Sequence, residues 1–173
     1  MLNFTQRGRA ALLSGVTVAA LAFAALAATS DNASGQSLTF DFGAHIEGAE
    51  SDAMLLGFEL QGPSRFNTGA FTGSFATAGR VNELGDVWLG IGFAVQANLG
   101  SAWYLEGSIM PGLYHDNETD LGHAIEIRSL FGVGYRFAGG SSVMLSIDHL
   151  SNADIGDYNP GTNAVMLRYR RPL

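Results

Sequence analysis

Cysteine is absent from the chain, so a disulfide framework, a thiol nucleophile and a thiolate-held metal are excluded. Charge is scarce, at 14% of residues, and its balance is acidic, with a formal net charge of -7 over 173 residues. Setting aside Arg7 and Arg9 near the N-terminus leaves the remainder more negative still, which argues against a nucleic-acid partner. Long apolar runs are missing as well. Beyond the first segment no stretch approaches the roughly 18 residues that a spanning helix needs, which argues against a helical membrane protein. The length suits one domain.

The first segment has the layout of a secretory signal. Arg7 and Arg9 precede an apolar stretch from Ala10 to Leu26, which ends in small residues at Ala25-Leu26-Ala27-Ala28. Cleavage is expected after Ala27 or Ala28. Ser14, Gly15 and Thr17 interrupt the stretch, unlike a permanent anchor, and without a cysteine no lipoprotein anchor follows. Residues 1–27 are thus assigned to the signal, 28–36 to a polar linker (TSDNASGQ from Thr29), and 37–173 to the folded domain.

Past Gln36 the pattern alternates with a period of two, the mark of strands with unlike faces. Between Asp86 and Asn98, Val87, Leu89, Ile91, Phe93, Val95 and Ala97 share one parity. Asp86, Trp88, Gly90, Gly92, Ala94, Gln96 and Asn98 share the other. Trp103, Leu105, Ile109 and Leu113 then oppose Tyr104, Glu106, Ser108, Gly112 and Tyr114. Further on, Ile125, Ile127, Phe131, Val133, Tyr135 and Phe137 oppose Glu126, Arg128, Gly132, Gly134 and Arg136. Similar alternation starts near Leu38, Met54, Phe71, Val143 and Val165, giving eight candidate strands. Asp41 and His45 fall on the polar face of the first, Glu59 on that of the second, and Asp148 on that of the seventh.

Two barrels fit this alternation. In a soluble lipocalin-like binder the bulky face, including Leu89, Ile91 and Phe93, packs inside; in a small membrane barrel the relation inverts. The export signal, the continuous bulky face, and a second face of Gly, Ser and charges of both signs select the inverted form. Open strands cannot survive in lipid, and eight is the smallest usual closure. The expected fold is therefore an all-β, eight-stranded antiparallel outer-membrane β-barrel. Glu59, Glu106, Glu126 and Asp148 are expected to pair with Arg128, Arg136, Arg168 and Arg170 in the lumen. Trp103, Tyr135 and Tyr169 belong to interfacial girdles.

Asn98–Ser101 and Ala138–Gly140 form short turns, while 78–85, 115–123 and 153–161 are longer connections. The stretch 61–67 is expected as a long connection on the short-turn side. Short turns lie in the periplasm in such barrels, so the strand that begins near Val143 rises and ends, at His149 and Ser151, in the outer leaflet. Both residues share the parity of Val143, Leu145 and Ile147 and face lipid. Side chains at i and i+2 on a strand stand roughly 6 to 7 Å apart at their bases, a gap that an imidazole can bridge to a hydroxyl. The pair fits nucleophile and general base; it also fits a strand end that merely emerges among headgroups.

The longer stretch His149-Leu150-Ser151-Asn152-Ala153, with the Asn159-Pro160-Gly161 turn and a last amphipathic strand, resembles the C-terminal signature of the PagL-type lipid A 3-O-deacylases. The likeness extends through Trp103-Tyr104-Leu105-Glu106-Gly107-Ser108 and Gly132-Val133-Gly134-Tyr135-Arg136-Phe137. It implies an outer-membrane serine esterase that removes the ester-linked 3-position acyl chain from lipid A of lipopolysaccharide, using serine, histidine and glutamate and no cofactor. By position, Ser151 is the implied nucleophile, His149 the general base and Asn152 a contributor to the oxyanion hole. The position of the family's acid is occupied by Asn163, which by parity faces outward beside His149. An amide oxygen can orient an imidazole but does not balance its charge as a carboxylate does. Asp154 and Asp157 are candidate substitutes; Asp148 is sent inward. The Asn163 position also keeps open a barrel that has lost catalysis and serves a structural or binding role. Between His115 and His123, Asp116, Glu118 and Asp120 read as a solvated acidic loop, since their spacing matches no EF-hand.

Overall fold

The computed structural model describes residues 35–50 and 52–173; the expected signal segment and most of the polar linker lie outside them. Eight strands follow in chain order: β1 (Ser37–Gly48), β2 (Met54–Asn67), β3 (Phe71–Asn82), β4 (Val87–Leu99), β5 (Trp103–His115), β6 (Ile125–Arg136), β7 (Ser142–Ser151) and β8 (Thr162–Pro172). Each pairs antiparallel with the next and β8 returns to β1, closing the barrel. Closure leaves no edge strand with unpaired backbone groups, the condition for survival in hydrocarbon.

The polarity of the wall is that of a membrane barrel. Ile91 is 64% exposed while Glu59 and Glu106 are 0% exposed. This overturns the lipocalin-like alternative, which needed Ile91 inside. Phe40, Phe42, Phe75, Leu113, Phe131 and Leu167 share the outer face. Trp103 and Tyr135 meet edge to face at 5.1 Å, and Tyr135 meets Phe137 at 5.5 Å. This aromatic group lies beside the 137–141 turn and suits an interfacial girdle.

Inside, large side chains fit because glycines stand opposite them. A Cβ at Gly134 would strike the Tyr104 ring, and one at Gly90 or Gly112 would strike Trp88. The remaining lumen is an ion network. Arg168 reaches Asp41 (2.8 Å), Glu59 (2.8 Å) and Glu106 (3.2 Å). Arg128 also bonds Glu59, Arg170 bonds Glu106, and Arg80 holds Asp148 at 3.1 Å. Two expected partners differ. Among the described residues Arg136 pairs with no acid but donates to Gln96 and Asn98 and stacks on Tyr104. Among the described residues neither carboxylate oxygen of buried Glu126 has a hydrogen-bond partner within bonding distance.

Short turns (68–70, 100–102 and 137–141) gather at one end and the connections 49–53, 83–86, 116–124 and 152–161 at the other. The stretch 61–67, expected as a connection, is strand. The β2–β3 register shifts between Gln61 and Ser64 and again between Ser64 and Phe66. Pro63, which cannot donate to a ladder, sits in that irregular region. Likewise 78–82 belongs to β3, where Ala78, Arg80 and Asn82 face the lumen. With the short turns periplasmic, β7 rises and its last residues reach the outer leaflet.

Candidate functional site

The β7–β8 register places His149 directly opposite Asn163. Both lie on the lipid side of the wall: β7 alternates buried Asp148 and Leu150 with exposed His149, and β8 alternates buried Thr162 and Ala164 with half-buried Asn163. His149 Nδ1 is 2.8 Å from Asn163 Oδ1. Ser151 is half-buried on the same face of β7, at its end. Its hydroxyl makes no hydrogen bond to His149 in this structure, and such bonds commonly tighten only around substrate. Gly161 leaves room for the imidazole, because a Cβ there would lie 3.1 Å from His149 Cε1.

A residue that the period of two did not find completes the row. Asn163 Nδ2 donates to Glu47 Oε2 at 3.0 Å. On β1, His45 is 2% exposed and Ile46 54%, so simple alternation would send Glu47 into the lumen with His45. Instead the β1–β8 register jumps, pairing His45 with Ala164 and Glu47 with Asn163. Ile46 is the extra residue of a β-bulge, a device that re-aims a side chain. It turns Glu47 outward onto the same face as Asn163.

Asn152 stands elsewhere than its expected role requires. It is fully buried, and its side-chain amide donates to Leu121 O at 3.0 Å and Tyr158 O at 2.8 Å. Its backbone N–H donates to Asn159 Oδ1 at 3.1 Å. The side-chain amide thus ties the β5–β6 connection to the β7–β8 connection, the backbone N–H closes the latter on itself, and neither donor is free for an oxyanion. Just beyond it, Ala153 (φ 52°) and Asp154 (φ 60°) occupy the left-handed region. That conformation is rare for residues other than glycine and clusters at functional sites. Their backbone N–H groups donate to no group among the described residues.

The candidate substitute acids do not reach the histidine. Asp154 accepts from Asn159 Nδ2 at 2.9 Å within its own loop, Asp157 is exposed in that loop, and Asp148 faces Arg80 in the lumen. In the neighbouring connections, burial pushes the Asp86 carboxyl up, but the backbone N–H groups of Glu118, Asn117 and Thr119, with the Asn82 amide, hold it below its usual range. Asp86 thereby fastens the acidic β5–β6 loop to the β3–β4 loop. In that loop Asp120 accepts from Gly122 N, and His123 accepts from Ile125 N. Among the described residues no three potential ligand side chains converge on a metal position.

A model of the lipid A 3-O-deacylase (PagL) family matches residues 53–172. In fold the chain is similar to the crystal structure of the outer membrane enzyme PagL, with a TM-score of 0.66 and 22% identity over 79% of this chain and 99% of that one. It is similar also to Neisserial surface protein A (0.54, 8% identity, 80% and 97% covered) and to a de novo designed transmembrane β-barrel (0.53, 13%, 79% and 96%). At these identities the structural matches show the fold. No curated protein matches the sequence. The family match takes in β2 to β8, with His149, Ser151, Asn152 and Asn163 but without Glu47, and on that span the chain belongs to the lipid A 3-O-deacylase (PagL) family of the bacterial outer membrane.

Proposed function

We propose that this barrel hydrolyses the 3-position acyl ester of lipid A, with Ser151 as nucleophile and His149 as general base. The observation that carries the proposal is the 2.8 Å contact of His149 with Asn163 on the lipid-facing wall, with Ser151 on the same face at the outer end of β7. An ester in the outer leaflet would meet these groups without leaving the membrane.

With Nδ1–H donated to Asn163 Oδ1, the Nε2 lone pair of His149 is left to accept a proton. Ser151 Oγ attacks the ester carbonyl and its proton passes to Nε2. The negative charge that develops on the carbonyl oxygen needs donors fixed in place beforehand, and the uncommitted N–H groups of Ala153 and Asp154, directly after the serine, are suited to supply them. Collapse breaks the bond to the 3-oxygen, which leaves with the proton from Nε2. Water, activated by the same imidazole, then frees the fatty acid from the serine.

The test incubates purified, folded barrel with lipopolysaccharide and follows the lipid A mass for loss of one acyl chain. Loss in the wild-type protein and at least about a 10³-fold fall in Ser151→Ala, with the heat-modifiable band shift of a closed barrel unchanged, is the expected result. No acyl loss from the wild-type protein or from Asn163→Glu would leave the structural or binding barrel as the better account.

A further inference from the structure

We propose that Glu47 is a positioning residue that locks the Asn163 amide with its oxygen toward His149, so that Glu47 and Asn163 together do the orienting work of one acid. This rests on the deacylase assignment for its catalytic meaning but not for its geometry.

An amide in the acid position has a specific weakness. Its two ends are nearly the same size, and it can turn either its oxygen or its NH2 group to the imidazole. Presenting NH2 forces Nδ1 to accept, moves the proton to Nε2, and removes the general base. Replacing the triad acid by its amide in a serine protease costs about 10⁴ in turnover through this wrong tautomer. Here the ambiguity is resolved from behind. A carboxylate only accepts, so the Asn163 end that lies 3.0 Å from Glu47 Oε2 is the NH2 group. The oxygen is then the end 2.8 Å from His149 Nδ1. Donating to a carboxylate also polarises the amide and makes its oxygen the better acceptor for an imidazolium.

The placement of Glu47 is built into the wall. The Ile46 bulge gives Glu47 its outward aim, and the strand continues through Gly48, whose φ of 97° suits glycine. From the lumen side, Thr162 Oγ1 donates to the Glu47 carbonyl at 3.2 Å while lying 2.9 Å from His45 Nδ1. The backbone that carries Glu47 is thus held by an inward contact independent of its carboxylate. The row His149–Asn163–Glu47 crosses three adjacent strands, β7, β8 and β1, and so spans the seam where the barrel closes.

The experiment combines kinetics with 15N NMR of histidine-labelled barrel in detergent, with the His149 signals identified by their loss in His149→Gln. In the wild-type protein His149 should carry its proton on Nδ1. Glu47→Leu should shift the tautomer toward Nε2–H and lower kcat by about 10² to 10³, within the serine-protease limit, with KM little changed. Glu47→Gln, which can accept from Asn163 but can also flip together with it, should fall between. In the Asn163→Glu background a carboxylate meets His149 directly and Glu47 becomes a nearby like charge; there Glu47→Leu should cost nothing or raise the rate. Equal losses from Glu47→Leu in both backgrounds, or an unchanged Nδ1–H signal in Glu47→Leu, would overturn the proposal. Absence of deacylation in every variant, with the tautomer moving as described, would sink the deacylase assignment and leave the positioning role of Glu47 standing.

Discussion

The lumen and the outer end of the β7–β8–β1 wall both hold rows of polar groups, but the two are built on opposite principles. At the centre of the lumen the charges share partners: Arg168 alone contacts Asp41, Glu59 and Glu106, and Glu59 is shared with Arg128. All of these side chains are almost completely buried, where a charge without partners is costly. On the outer wall the row is linear, with one bond from His149 to Asn163 and one from Asn163 to Glu47, at an exposed or half-buried surface. A branched network resists reorganisation and serves stability. A linear chain with a free imidazole nitrogen at its end is able to move a proton.

The largest break in this comparison is expected on the lumen side. Arg168→Met removes the charge that joins three carboxylates and should destabilise the barrel by about 3 to 5 kcal/mol. The check is the midpoint of guanidinium unfolding in detergent, paired with the specific deacylation rate of the remaining folded protein. A lower midpoint with an unaltered specific rate keeps the two regions separate. A rate that falls in the folded fraction as well would show that the lumen network sets the geometry of the outer row.

That separation follows from the same alternation that made most of the fold legible. Strong parity in β4 to β8 fixed the inward course of Glu106, Arg128, Asp148 and Arg168 and the outward course of His149, Ser151 and Asn163, because an uninterrupted ladder leaves each side chain only two directions. Where the ladder is interrupted, the pattern misleads. The irregular register around Pro63 disguised the end of β2 as a loop, and the bulge at Ile46 hid Glu47 on what parity marks as the inner face. The surroundings of Asn152 were hidden for a different reason. Its place beside the serine is visible in the sequence, but its commitment to Leu121 O and Tyr158 O depends on loops that only the closed barrel brings together.

A smaller effect tests that commitment. Asn152→Ala leaves two carbonyl acceptors without their donor, a local cost of about 1 to 3 kcal/mol. Faster amide exchange in 116–124 and 152–161 and a roughly tenfold lower rate are expected, the latter because a slightly displaced catalytic group loses part of its orientation advantage. A side chain that donated to the oxyanion would instead cost about 10² to 10³ in kcat with no change in exchange. That outcome would return Asn152 to the reacting atoms and weaken the role given to Ala153 and Asp154.

The smallest expected effect lies where the two regions meet, at Glu50 in the connection between β1 and β2. Burial is the main cause that raises its carboxyl from 4.5 to about 7; the charge of Asp86 adds to the rise, while Arg80 and the Tyr114 hydroxyl oppose it. Glu50 accepts from Asn82 Nδ2 at 2.7 Å and from the Tyr114 hydroxyl at 3.1 Å, and lies 3.3 Å from His45 Nε2. Because the folded value lies above the unfolded one, the folded loop binds the proton more tightly. The resulting stabilisation is complete below about 4.5 and is lost as the pH rises through about 7. The β1–β2 connection should therefore open more readily at pH 8 than at pH 6, seen as faster exchange at Ala49 and Ala53 after correction for intrinsic rates. Glu50→Gln cannot ionise and should flatten that dependence. If His45 and Thr162 transmit the loosening to the backbone of Glu47, the same variant will also flatten any change in the His149 tautomer between pH 6 and pH 8. A tautomer response that persists in Glu50→Gln would place its origin within the outer row itself and leave lumen and wall energetically independent at this end.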